Sequence, residues 1–505
     1  MELIRPESIP KIDALAIQNT EVTEEVLIRR AGDAAAKEIL ARVPSVREAL
    51  VLCGGGNNGA DGYATAIALR RAGVFALAVD AFGRGQRSEG GQAVLAEYTE
   101  TCGAPLSYAS LAGRTADLIV DAVLGSGATG PLSDEARRTA RWMNRQSAYK
   151  VALDIPLGVD ADYGEACADA VAVDLTVVFA FYKRGLLSYP ARGFCGELVL
   201  ADLGVFTREA YQAYFCATAT DAETAKEYLP LRARNSHKGS FGRLQVFSGS
   251  KKYRGAAHLV AYGALRMGVG LLTLSTEEEV VRLVGRRLPE LLFDVCESID
   301  AWDMETMQAK AEASARADAT VIGPGCSVSE ALYHFVALLT SSEGGPLLLD
   351  ADALGAIAAH APDVDAFFAA AKRPLVLTPH PLEFARLIGA SVAEVQRARM
   401  RLALTYAKKW GVCLLLKGAG TVITDGDRLY LNMTGSSALA KGGSGDVLSG
   451  AVGAFLAAKV EPLRALALAA YLHGAAGDAL AKELSEYGVL PSDLPSRMAT
   501  VIATL

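Results

Sequence analysis

The stretch ALAKGGSGDVLSG, residues 438–450, places a carboxylate directly after a glycine run at the start of a helical pattern. Gly442, Gly443 and Gly445 allow the backbone to close around an anion, which the positive end of the following helix also favours. A carboxylate beside a phosphate is electrostatically unfavourable, so Asp446 in this place suggests a chemical task. It can accept the proton of a hydroxyl that attacks a phosphoryl group. The alternative is an acidic residue that only complements the helix dipole.

Other stretches of the C-terminal half also suit phosphate chemistry, although no G-x-x-x-x-G-K-[ST] pattern occurs and a P-loop protein is excluded. Lys417 opens KGAGT directly after an apolar run, which favours contact with a nucleotide phosphate. His380 stands between two prolines, and the stiff backbone suits a ligand contact. Asp350 and Asp352 in LLLDADAL resemble paired catalytic carboxylates. A strand-end turn with a helix cap is equally expected there, so they are kept outside the predicted site.

A second glycine-rich loop, CGGGNNGADG, follows an apolar run in the N-terminal half. Gly54, Gly56 and Gly59 satisfy G-x-G-x-x-G, and Asp80 follows about 20 residues later, as in nicotinamide-dependent dehydrogenases. The two asparagines and the aspartate within the loop argue against that function, because a carboxylate at the helix start repels a pyrophosphate. The loop therefore predicts a different kind of ligand site.

Two more loops of this half carry oxygen-rich side chains after apolar runs. Asp121 begins DAVLGSGATGP, and Asp154 begins DIPLGVD. Because the carboxyl ends of parallel strands meet at one edge of a sheet, we expect Asn58, Asp121 and Asp154 to converge on one pocket. GSGATGP would form a second backbone cradle. Each residue alone is more often a turn or cap residue, but three such loops favour a binding site.

Apolar runs alternate with helix-length segments throughout the chain, which indicates parallel sheets covered by helices. The 505 residues exceed what one core usually supports, so two α/β domains are expected. The boundary is predicted between Phe206 and Arg234, because that stretch is polar and shows no strand run. The predicted domains are residues 1–215 and 225–505.

Composition excludes several kinds of partner. The net charge of −7 and the pI of about 5.6 provide no general attraction for nucleic acid or anionic membranes. The eight cysteines form no CxxC pattern and no Cys/His cluster, which predicts reduced thiols. The chain shows no signal segment and no run of about 18 apolar residues. We expect a soluble, cytoplasmic protein.

NNGADG, DAVLGSGATGP, DIPLGVDAD and KRGLLSYPARGFCGELVLADLGV together resemble the epimerase domain of NAD(P)H-hydrate repair enzymes over most of residues 1–215. The resemblance implies a Rossmann-like three-layer sandwich that binds hydrated NAD(P)H, with Asp154 catalytic and with Asn58 and Asp121 holding a potassium ion. The implied substrate contacts are Asn57, Asn58, Gly59, Ala60, Asp61, Gly125, Ser126, Gly127, Ala128, Thr129, Gly130, Pro131 and Asp154.

The sequence departs from this family pattern at two positions. Ala60 stands where the family usually has glycine, and Leu157 stands where a Ser or Thr hydroxyl helps to hold the potassium. An isobutyl side chain offers no oxygen to a cation. The departures predict a weakened potassium site and reduced epimerase activity, which potassium titration of the isolated domain would test.

HKGSFGRLQVFSGSKKYRGAAHLVAYGALRMGVG, VIGPG, LTPHPLEFARLIG, LLLKGAGTVI and ALAKGGSGDVLSG resemble the dehydratase domain of the same family, which is ribokinase-like. The likeness runs from about His237 to about Leu480. It implies ADP- or ATP-dependent removal of water from the S epimer of NADHX or NADPHX, after phosphorylation of the C6 hydroxyl. Mg²⁺ is implied because phosphoryl oxygens need charge neutralisation, and it is expected to be carried by the nucleotide.

The resemblance assigns two sets of contacts in this half. The hydrate is contacted by Ala257, Gly325, His380 and Asp446. The adenine nucleotide is held by Lys417, Gly418, Ala419, Gly420, Thr421 and Gly445.

Two other hypotheses stay open from the sequence. One is a ribokinase-like small-molecule or vitamin kinase with a non-catalytic nucleotide-binding N-terminal domain, which would release a stable phosphate ester. The other makes the N-terminal half a nucleotide-sensing or partner-binding module without catalysis. The resemblance favours ADP over ATP, and relatives imply a homo-oligomer.

Overall fold

The computed structural model describes residues 1–83, 85–127 and 130–505. They form two compact units, Glu2–Ala217 and Thr218–Leu505, and the second unit also includes Met1. Within the described ranges, no helix has the length and apolar character needed to span a lipid bilayer.

The N-terminal unit alternates strands and helices along the chain. Its strands are β1 (Glu2–Ile4), β2 (Glu48–Cys53), β3 (Phe75–Asp80), β4 (Leu106–Ser107), β5 (Leu118–Ala122), β6 (Tyr149–Leu153), β7 (Leu175–Phe179) and β8 (Glu197–Ala201). Its helices are α1 (Ile9–Asn19), α2 (Glu24–Arg42), α3 (Asn57–Arg71), α4 (Glu89–Cys102) and α5 (Asp134–Asn144).

Strands β2 to β8 form one parallel sheet in the order β4-β3-β2-β5-β6-β7-β8. Helices cover both of its faces. Along β2, Ala49 and Val51 pack with residues of α2 and α3, whereas Leu50 and Leu52 pack with residues of α5. This alternation follows from strand geometry, in which successive side chains point to opposite faces. The predicted three-layer Rossmann-like sandwich is confirmed.

The C-terminal unit contains a longer series of elements, and its first strand begins at Phe215, just before the division between the units at Thr218. Its strands are β9 (Phe215–Thr220), β10 (Arg243–Phe247), β11 (Leu271–Glu277), β12 (Leu292–Cys296), β13 (Ala319–Ile322), β14 (Leu347–Leu349), β15 (Leu375–Leu377), β16 (Cys413–Leu416), β17 (Thr421–Thr424) and β18 (Leu429–Asn432). Its helices are α6 (Ala222–Tyr228), α7 (Arg254–Arg266), α8 (Glu278–Val284), α9 (Met304–Ala315), α10 (Glu330–Ser341), α11 (Asp352–His360), α12 (Val364–Ala369), α13 (Pro381–Ile388), α14 (Val392–Arg397), α15 (Arg399–Trp410), α16 (Ser444–Ala457), α17 (Pro462–Gly488) and α18 (Leu494–Ile502).

These strands pair in the order β9-β18-β17-β16-β15-β14-β13-β10-β11-β12. Helices α7, α16 and α17 cover one face, where Leu244 and Val246 of β10 lie in the same hydrophobic cluster as Val447 of α16. On the other face, the ring of Phe247 contacts the ring of Phe335 on α10, with centroids 5.1 Å apart. This sheet is therefore also buried between helix layers.

Two details differ from the sequence-based expectation. The stretch between residues 206 and 234 contains strand β9, of which residues 218–220 pair in parallel with residues 430–432 of β18. Its sequence FCATAT alternates small residues with β-branched ones, a weak signal in a polar context. Strand β17 is antiparallel to both of its neighbours, so the sheet is mixed. The turn between β16 and β17 is too short for the crossover helix that parallel pairing requires.

Helices α7 and α16 touch along their backbones. A Cβ atom added at Gly450 would overlap the carbonyl oxygen of Val260, and one added at Gly263 would lie 2.5 Å from the carbonyl oxygen of Val447. Because no side chain fits between the helices at these positions, the first half of α16 is held directly against α7. This contact holds Asp446 in place.

We predict that Gly450→Ala destabilises the protein by about 1–3 kcal/mol, because the added methyl group overpacks the contact between α7 and α16. Differential scanning calorimetry of the full chain measures the change. Gly255→Ala is the matched control, since a Cβ at this position on the first turn of α7 meets nothing within 4 Å. An unchanged melting temperature for Gly450→Ala would contradict the close helix contact.

Candidate active sites

The first candidate site lies at the carboxyl edge of the N-terminal sheet. A Cβ atom added at Gly59 would overlap the carbonyl oxygen of Gly54, so glycine is required for the tight connection from β2 to α3. Asp80, at the position of a ribose-binding acid, instead accepts hydrogen bonds from three backbone N–H groups of its own loop. The dehydrogenase-like spacing therefore reflects packing and loop closure.

Asn58 and Asp121 both engage the loop that follows β5. Asn58 Nδ2 donates to the carbonyl oxygen of Leu124 at 2.9 Å, while its buried Oδ1 has no hydrogen-bond partner among the described residues. Asp121 is 1% exposed and accepts hydrogen bonds from the N–H of Leu157 at 2.7 Å and of Val123 at 3.2 Å. Burial raises the pKa of Asp121 to about 7. A buried carboxylate at the end of β5 and an unpartnered amide oxygen at the start of α3 are a donor set that suits a cation.

At the two positions that depart from the family pattern, the side chains are buried in the hydrophobic core. The Leu157 side chain is fully buried in a hydrophobic cluster with Leu52 and Ile119, and only its backbone reaches Asp121. The Ala60 methyl group is also fully buried, 3.3 Å from where a Cβ of Gly91 would lie. The predicted substrate contact through Ala60 thus cannot be made by its side chain, which faces the core.

The predicted substrate loop after β5 is only partly described. A Cβ at Gly125 would lie 2.9 Å from the Asn58 Cβ, so this glycine lets the loop approach α3. Asn57 at the start of α3 is exposed, as are Gly127, Gly130 and Pro131, and Ser126 is half-buried. The predicted contacts Ala128 and Thr129 lie outside the described residues.

Asp154 follows β6 with a φ of 66°, a left-handed conformation that is unfavourable for a residue other than glycine. Its carboxylate forms an ion pair with the fully buried Lys183 and accepts a hydrogen bond from the N–H of Phe179 at 3.2 Å. Backbone strain beside a buried ion pair is typical of a functional position. Lys183 is not among the predicted residues. Its place shortly after the apolar run of β7, at the carboxyl edge of the sheet, is the sequence signal that could have indicated it.

Two further carboxyl groups interact with this ion pair. Burial raises the pKa of Asp61 on α3 well above its usual range, and the charges of Asp154 and Asp13 add to this effect. Burial also raises the pKa of Asp13 on α1 to about 6, while Lys183 lowers it. Carboxyl groups that hold a proton near neutral pH can act as acids and bases. Asp61, predicted only as a substrate contact, thus interacts with Asp154 in a setting suited to proton transfer.

The second candidate site lies where α16 begins, at the carboxyl edge of the C-terminal sheet. Gly443 precedes the helix with a φ of 103°, a conformation that glycine adopts without strain. Lys417 Nζ, at the end of β16, lies 3.1 Å from the position that a Cβ of Gly445 would occupy. The ammonium group and the positive end of α16 therefore face the same place. Together they form an anion site, which we call the phosphate cup.

Asp350 holds the lysine of the phosphate cup. Its Oδ1 accepts a hydrogen bond from Lys417 Nζ at 2.6 Å, and its Oδ2 accepts one from Ser449 Oγ at 2.5 Å. Asp350 is 1% exposed. Asp350, placed outside the predicted site from the sequence, therefore contacts the predicted residue Lys417, and Ser449 is a further residue that was not predicted. Asp352 instead accepts a hydrogen bond from the N–H of Ser327 at 2.8 Å, as a turn residue would.

Asp446 lies on the first turn of α16, inside the phosphate cup. Its pKa is raised to about 7, first by burial and then by the charge of Asp350, while Lys417 lowers it. A carboxyl group that titrates near neutral pH is suited to accept a proton in a reaction. Its position beside Lys417 and Gly445 is the one that the sequence predicts for a base.

His380 begins helix α13. Its Nδ1 accepts hydrogen bonds from the N–H groups of Leu382 and Glu383, both at 3.2 Å, and its Nε2 lies 3.1 Å from Glu383 Oε1. Because Nδ1 is an acceptor, the proton of the neutral ring lies on Nε2. The side chain is 46% exposed, so this capping role leaves part of the ring open to a ligand.

The loop after β13 lies against the start of α7. Gly325 has a φ of 69°, and a Cβ added there would lie 2.7 Å from the Cβ of Ala256. Ala257 is fully buried, 2.8 Å from where a Cβ of Gly249 would lie. The predicted contact through Ala257 therefore cannot come from an exposed side chain. The exposed residues at this helix start are Arg254 and Gly255.

The KGAGT segment, residues 417–421, forms the turn between β16 and β17. Arg399, only 2% exposed, donates to the carbonyl oxygens of Leu416 and Lys417 at 3.2 and 3.0 Å. A Cβ added at Gly418 would lie 2.7 Å from Arg399 Nη2, so this glycine allows the guanidinium to support the turn. Gly418 and Ala419 are exposed, as a ligand-binding turn requires.

Family models match both halves of the chain. The model described as YjeF-related protein N-terminus matches residues 24–185, and the model described as NAD(P)H-hydrate dehydratase matches residues 244–499. The bifunctional NAD(P)H-hydrate repair enzyme Nnr of Coxiella burnetii is 35% identical over 501 residues, which cover 97% of each chain. The chain belongs to the family of bifunctional NAD(P)H-hydrate repair enzymes. The resemblance read from the motifs is confirmed.

Solved structures of similar proteins have the fold of the C-terminal unit of this repair-enzyme family member. The ADP/ATP-dependent NAD(P)H-hydrate dehydratase from Bacillus subtilis, co-crystallized with ATP/Mg²⁺, is 33% identical with a TM-score of 0.50, covering 57% of this chain and 98% of that one. A ribokinase-like superfamily protein from Enterococcus faecalis is 24% identical with a TM-score of 0.50, covering 57% and 96%. The predicted ribokinase-like fold is confirmed.

We predict that Lys183→Met destabilises the protein by about 3–5 kcal/mol, because the Asp154 charge then remains buried without its partner. Thermal denaturation of the full chain measures the loss. The double variant Asp154→Asn with Lys183→Met removes both charges and should recover most of it. A double variant as unstable as the single one would mean that packing of the lysine stem, and not charge, is responsible.

Proposed function

We propose that this protein repairs hydrated nicotinamide cofactors. The N-terminal unit interconverts R- and S-NAD(P)HX, and the C-terminal unit removes water from the S epimer at the expense of ADP or ATP. The observation that carries the proposal is the position of Asp446 in the phosphate cup beside Lys417, in a chain whose two halves match the two family models. The cup suits a phosphoryl group, and the carboxyl group suits a proton acceptor.

In the dehydration step, Asp446 takes the proton of the C6 hydroxyl as that oxygen attacks the terminal phosphorus of the nucleotide. With ADP this gives AMP and a C6 phosphate ester. Elimination then breaks the C6–O bond and a C5–H bond, with the C5 proton passing to a base or to water. It releases inorganic phosphate and restores the C5=C6 double bond of NAD(P)H. The residues proposed to hold the nucleotide are Lys417, Gly418, Ala419, Gly420, Thr421 and Gly445.

His380 and Gly325 are proposed to contact the hydrate near Asp446, with the start of α7 at Ala257 as a backbone contact. Mg²⁺ bound to the nucleotide would neutralise its phosphoryl oxygens. Among the described residues, no group of three or more His, Cys, Asp or Glu side chains is arranged to hold a metal ion. We therefore propose that Mg²⁺ is carried by the nucleotide, in line with the ATP/Mg²⁺ of the Bacillus subtilis relative.

Inverting C6 in the epimerase reaction requires the C6–O bond, or a ring bond at C6, to break and re-form, with a proton moving to and from the hydroxyl oxygen. Asp154 is the proposed catalytic residue, and its ion pair with Lys183 fixes the carboxylate. Asp61, whose pKa is raised, is proposed to assist Asp154 by donating and accepting a proton nearby. Residues 57–61 at the start of α3 and residues 125–131 after β5 are the proposed substrate contacts.

Potassium is proposed to bind at Asn58 and Asp121. The fit rests on the unpartnered buried Oδ1 of Asn58 and on the Asp121 carboxylate, which burial alone would protonate near neutral pH. A monovalent cation there would offset the charge of substrate phosphates. Leu157 contributes no side-chain oxygen, so we propose that a carbonyl oxygen or water completes the site and that binding is weakened.

The relatives favour dehydration over the alternative of a kinase that releases a stable phosphate ester. ADP is the proposed phosphoryl donor in preference to ATP, and a homo-oligomer is the proposed assembly. The reaction products decide between the two enzyme hypotheses.

Incubation of the purified protein with both NADHX epimers, ADP, Mg²⁺ and K⁺ tests the proposed function. We predict recovery of the absorbance of reduced nicotinamide together with inorganic phosphate. Asp446→Asn should slow consumption of the S epimer at least about 100-fold, because an amide cannot accept the proton, while epimer interconversion continues. The exposed Asp427→Asn is the matched control and should behave as wild type. Wild-type consumption by Asp446→Asn would rule out the assigned base.

We predict that Leu157→Ser lowers the K⁺ concentration that half-saturates epimerisation severalfold, because it supplies an oxygen next to Asp121. The rate is measured across a KCl series at constant ionic strength. Leu157→Ala creates similar space without an oxygen and should leave the half-saturation unchanged. Equal effects of the two substitutions would show that space, and not an oxygen ligand, limits potassium binding.

A further inference from the structure

A buried carboxylate connects three elements of the C-terminal unit. Asp350 follows β14, Lys417 follows β16, and Ser449 lies on α16, three residues after Asp446. Each Asp350 oxygen bonds one of the other two elements, Oδ1 to Lys417 at 2.6 Å and Oδ2 to Ser449 at 2.5 Å. Asp350 and Ser449 are both buried, which shields these bonds from solvent. The carboxylate therefore ties the lysine to the helix that carries the proposed base.

We propose that Asp350 is a positioning residue that holds Lys417 at the start of α16 and sets the charge balance at Asp446. This rests on the proposed dehydratase function, in which Lys417 contacts the nucleotide and Asp446 accepts a proton. Family resemblance assigned no role to Asp350, and the assignment comes from its two hydrogen bonds and its burial. Asp350 contacts neither nucleotide nor hydrate in this scheme and acts through Lys417 and Asp446.

The position of Lys417 follows from this ion pair. Burial by itself would lower the pKa of Lys417, but the charge and hydrogen bond of Asp350, together with the charges of Glu383 and Asp446, more than offset it and the pKa is raised. The ammonium group thus stays charged while its Nζ lies 3.1 Å from where a Cβ of Gly445 would be. Without Asp350, a lysine on a flexible stem would lose its fixed place beside the phosphate cup. Nucleotide binding would weaken accordingly.

The charge balance at Asp446 follows from the same carboxylate. The ionisable groups that act on Asp446 come from every element around the cup: Asp350 after β14, Asp352 on α11, Glu383 on α13 and Lys417 after β16. His473 on α17 lies near Ser444 and Lys417, but burial lowers its pKa to about 4, so it is neutral. Of the carboxylates that act on Asp446, Asp350 has the largest effect.

This arrangement determines in which direction the pH profile of the rate should move when Asp350 is replaced. Asp446 must be deprotonated to act as a base, so the rate should rise with pH through its pKa of about 7. Asp350 is negative and disfavours a second negative charge. Removing the Asp350 charge should therefore lower the pKa of Asp446 and move the acidic side of the rate profile to lower pH.

The test uses the full-length enzyme, with S-NADHX consumption at saturating ADP and Mg²⁺ recorded between about pH 5.5 and 8.5. Asp350→Asn should move the acidic side of the profile down by roughly one pH unit. It should also raise the KM for ADP about tenfold through loss of a charge-assisted hydrogen bond. Ser449→Ala keeps the Asp350 charge, so its profile should stay in place while the KM for ADP rises a few-fold.

A second variant covers the case in which Asp350→Asn fails to fold with Lys417 left unpaired. Asp350→Asn with Lys417→Met removes both buried charges. Its acidic side should still lie at lower pH than that of the wild type, by less than about one pH unit, because Asp350 raises the pKa of Asp446 more strongly than Lys417 lowers it. An unmoved profile for Asp350→Asn, or an equal shift for Ser449→Ala, would overturn the proposal. If neither Asp350 variant moved the profile, the proposal would also fall.

Calorimetric titration of the protein with ADP in the presence of Mg²⁺ measures nucleotide binding without the reaction. It therefore separates this inference from the proposed function. A wild-type protein that binds ADP but never consumes S-NADHX would refute the dehydratase function. In that case, weaker ADP binding by Asp350→Asn would still support the positioning of Lys417, and equal binding would refute it. The exposed Asp427→Asn serves as the control in each measurement.

Discussion

Each unit of this protein buries a lysine against an aspartate at the carboxyl edge of its sheet, Lys183 with Asp154 and Lys417 with Asp350. Removing two charges from water costs several kcal/mol per ion, so such a pair persists only with good geometry and extra hydrogen bonds. Phe179 supplies these bonds in the first pair, and Ser449 supplies one in the second. A further carboxyl group with a raised pKa interacts with each pair, so ion pairing and proton transfer share one location.

The sheets make this arrangement possible without long loops. Neighbouring parallel strands end at the same edge, so residues that follow β2, β5, β6 and β7 meet in one unit, and residues that follow β13, β14, β15 and β16 meet in the other. Glycines then set how closely the pieces approach. Gly59 permits the turn into α3, and Gly450 permits backbone contact between α7 and α16. Close packing at these glycines therefore fixes the positions of the reactive side chains.

The sequence predicted the two α/β units and most strands, because long apolar runs with glycine and aspartate at their ends are strong local signals. It also pointed to Asp446, Lys417 and Asp121. It did not include Lys183, Asp350 or Ser449, because their roles depend on pairing across space, as between Ser449 and Asp350, 99 residues apart. Family patterns carried Ala60 and Ala257 into the site, but a pattern does not distinguish a buried methyl group from an exposed contact.

Strand β9 has a practical consequence for dividing the chain. Its residues 218–220 cover the outer edge of β18, and Thr220 Oγ1 donates to Asn432 Oδ1 at 3.0 Å. A dehydratase fragment cut at residue 225 would leave the backbone of β18 open along that side. Unpaired strand edges can pair with other chains, so such a fragment would tend to aggregate, whereas one that starts before residue 215 would keep the edge of β18 covered.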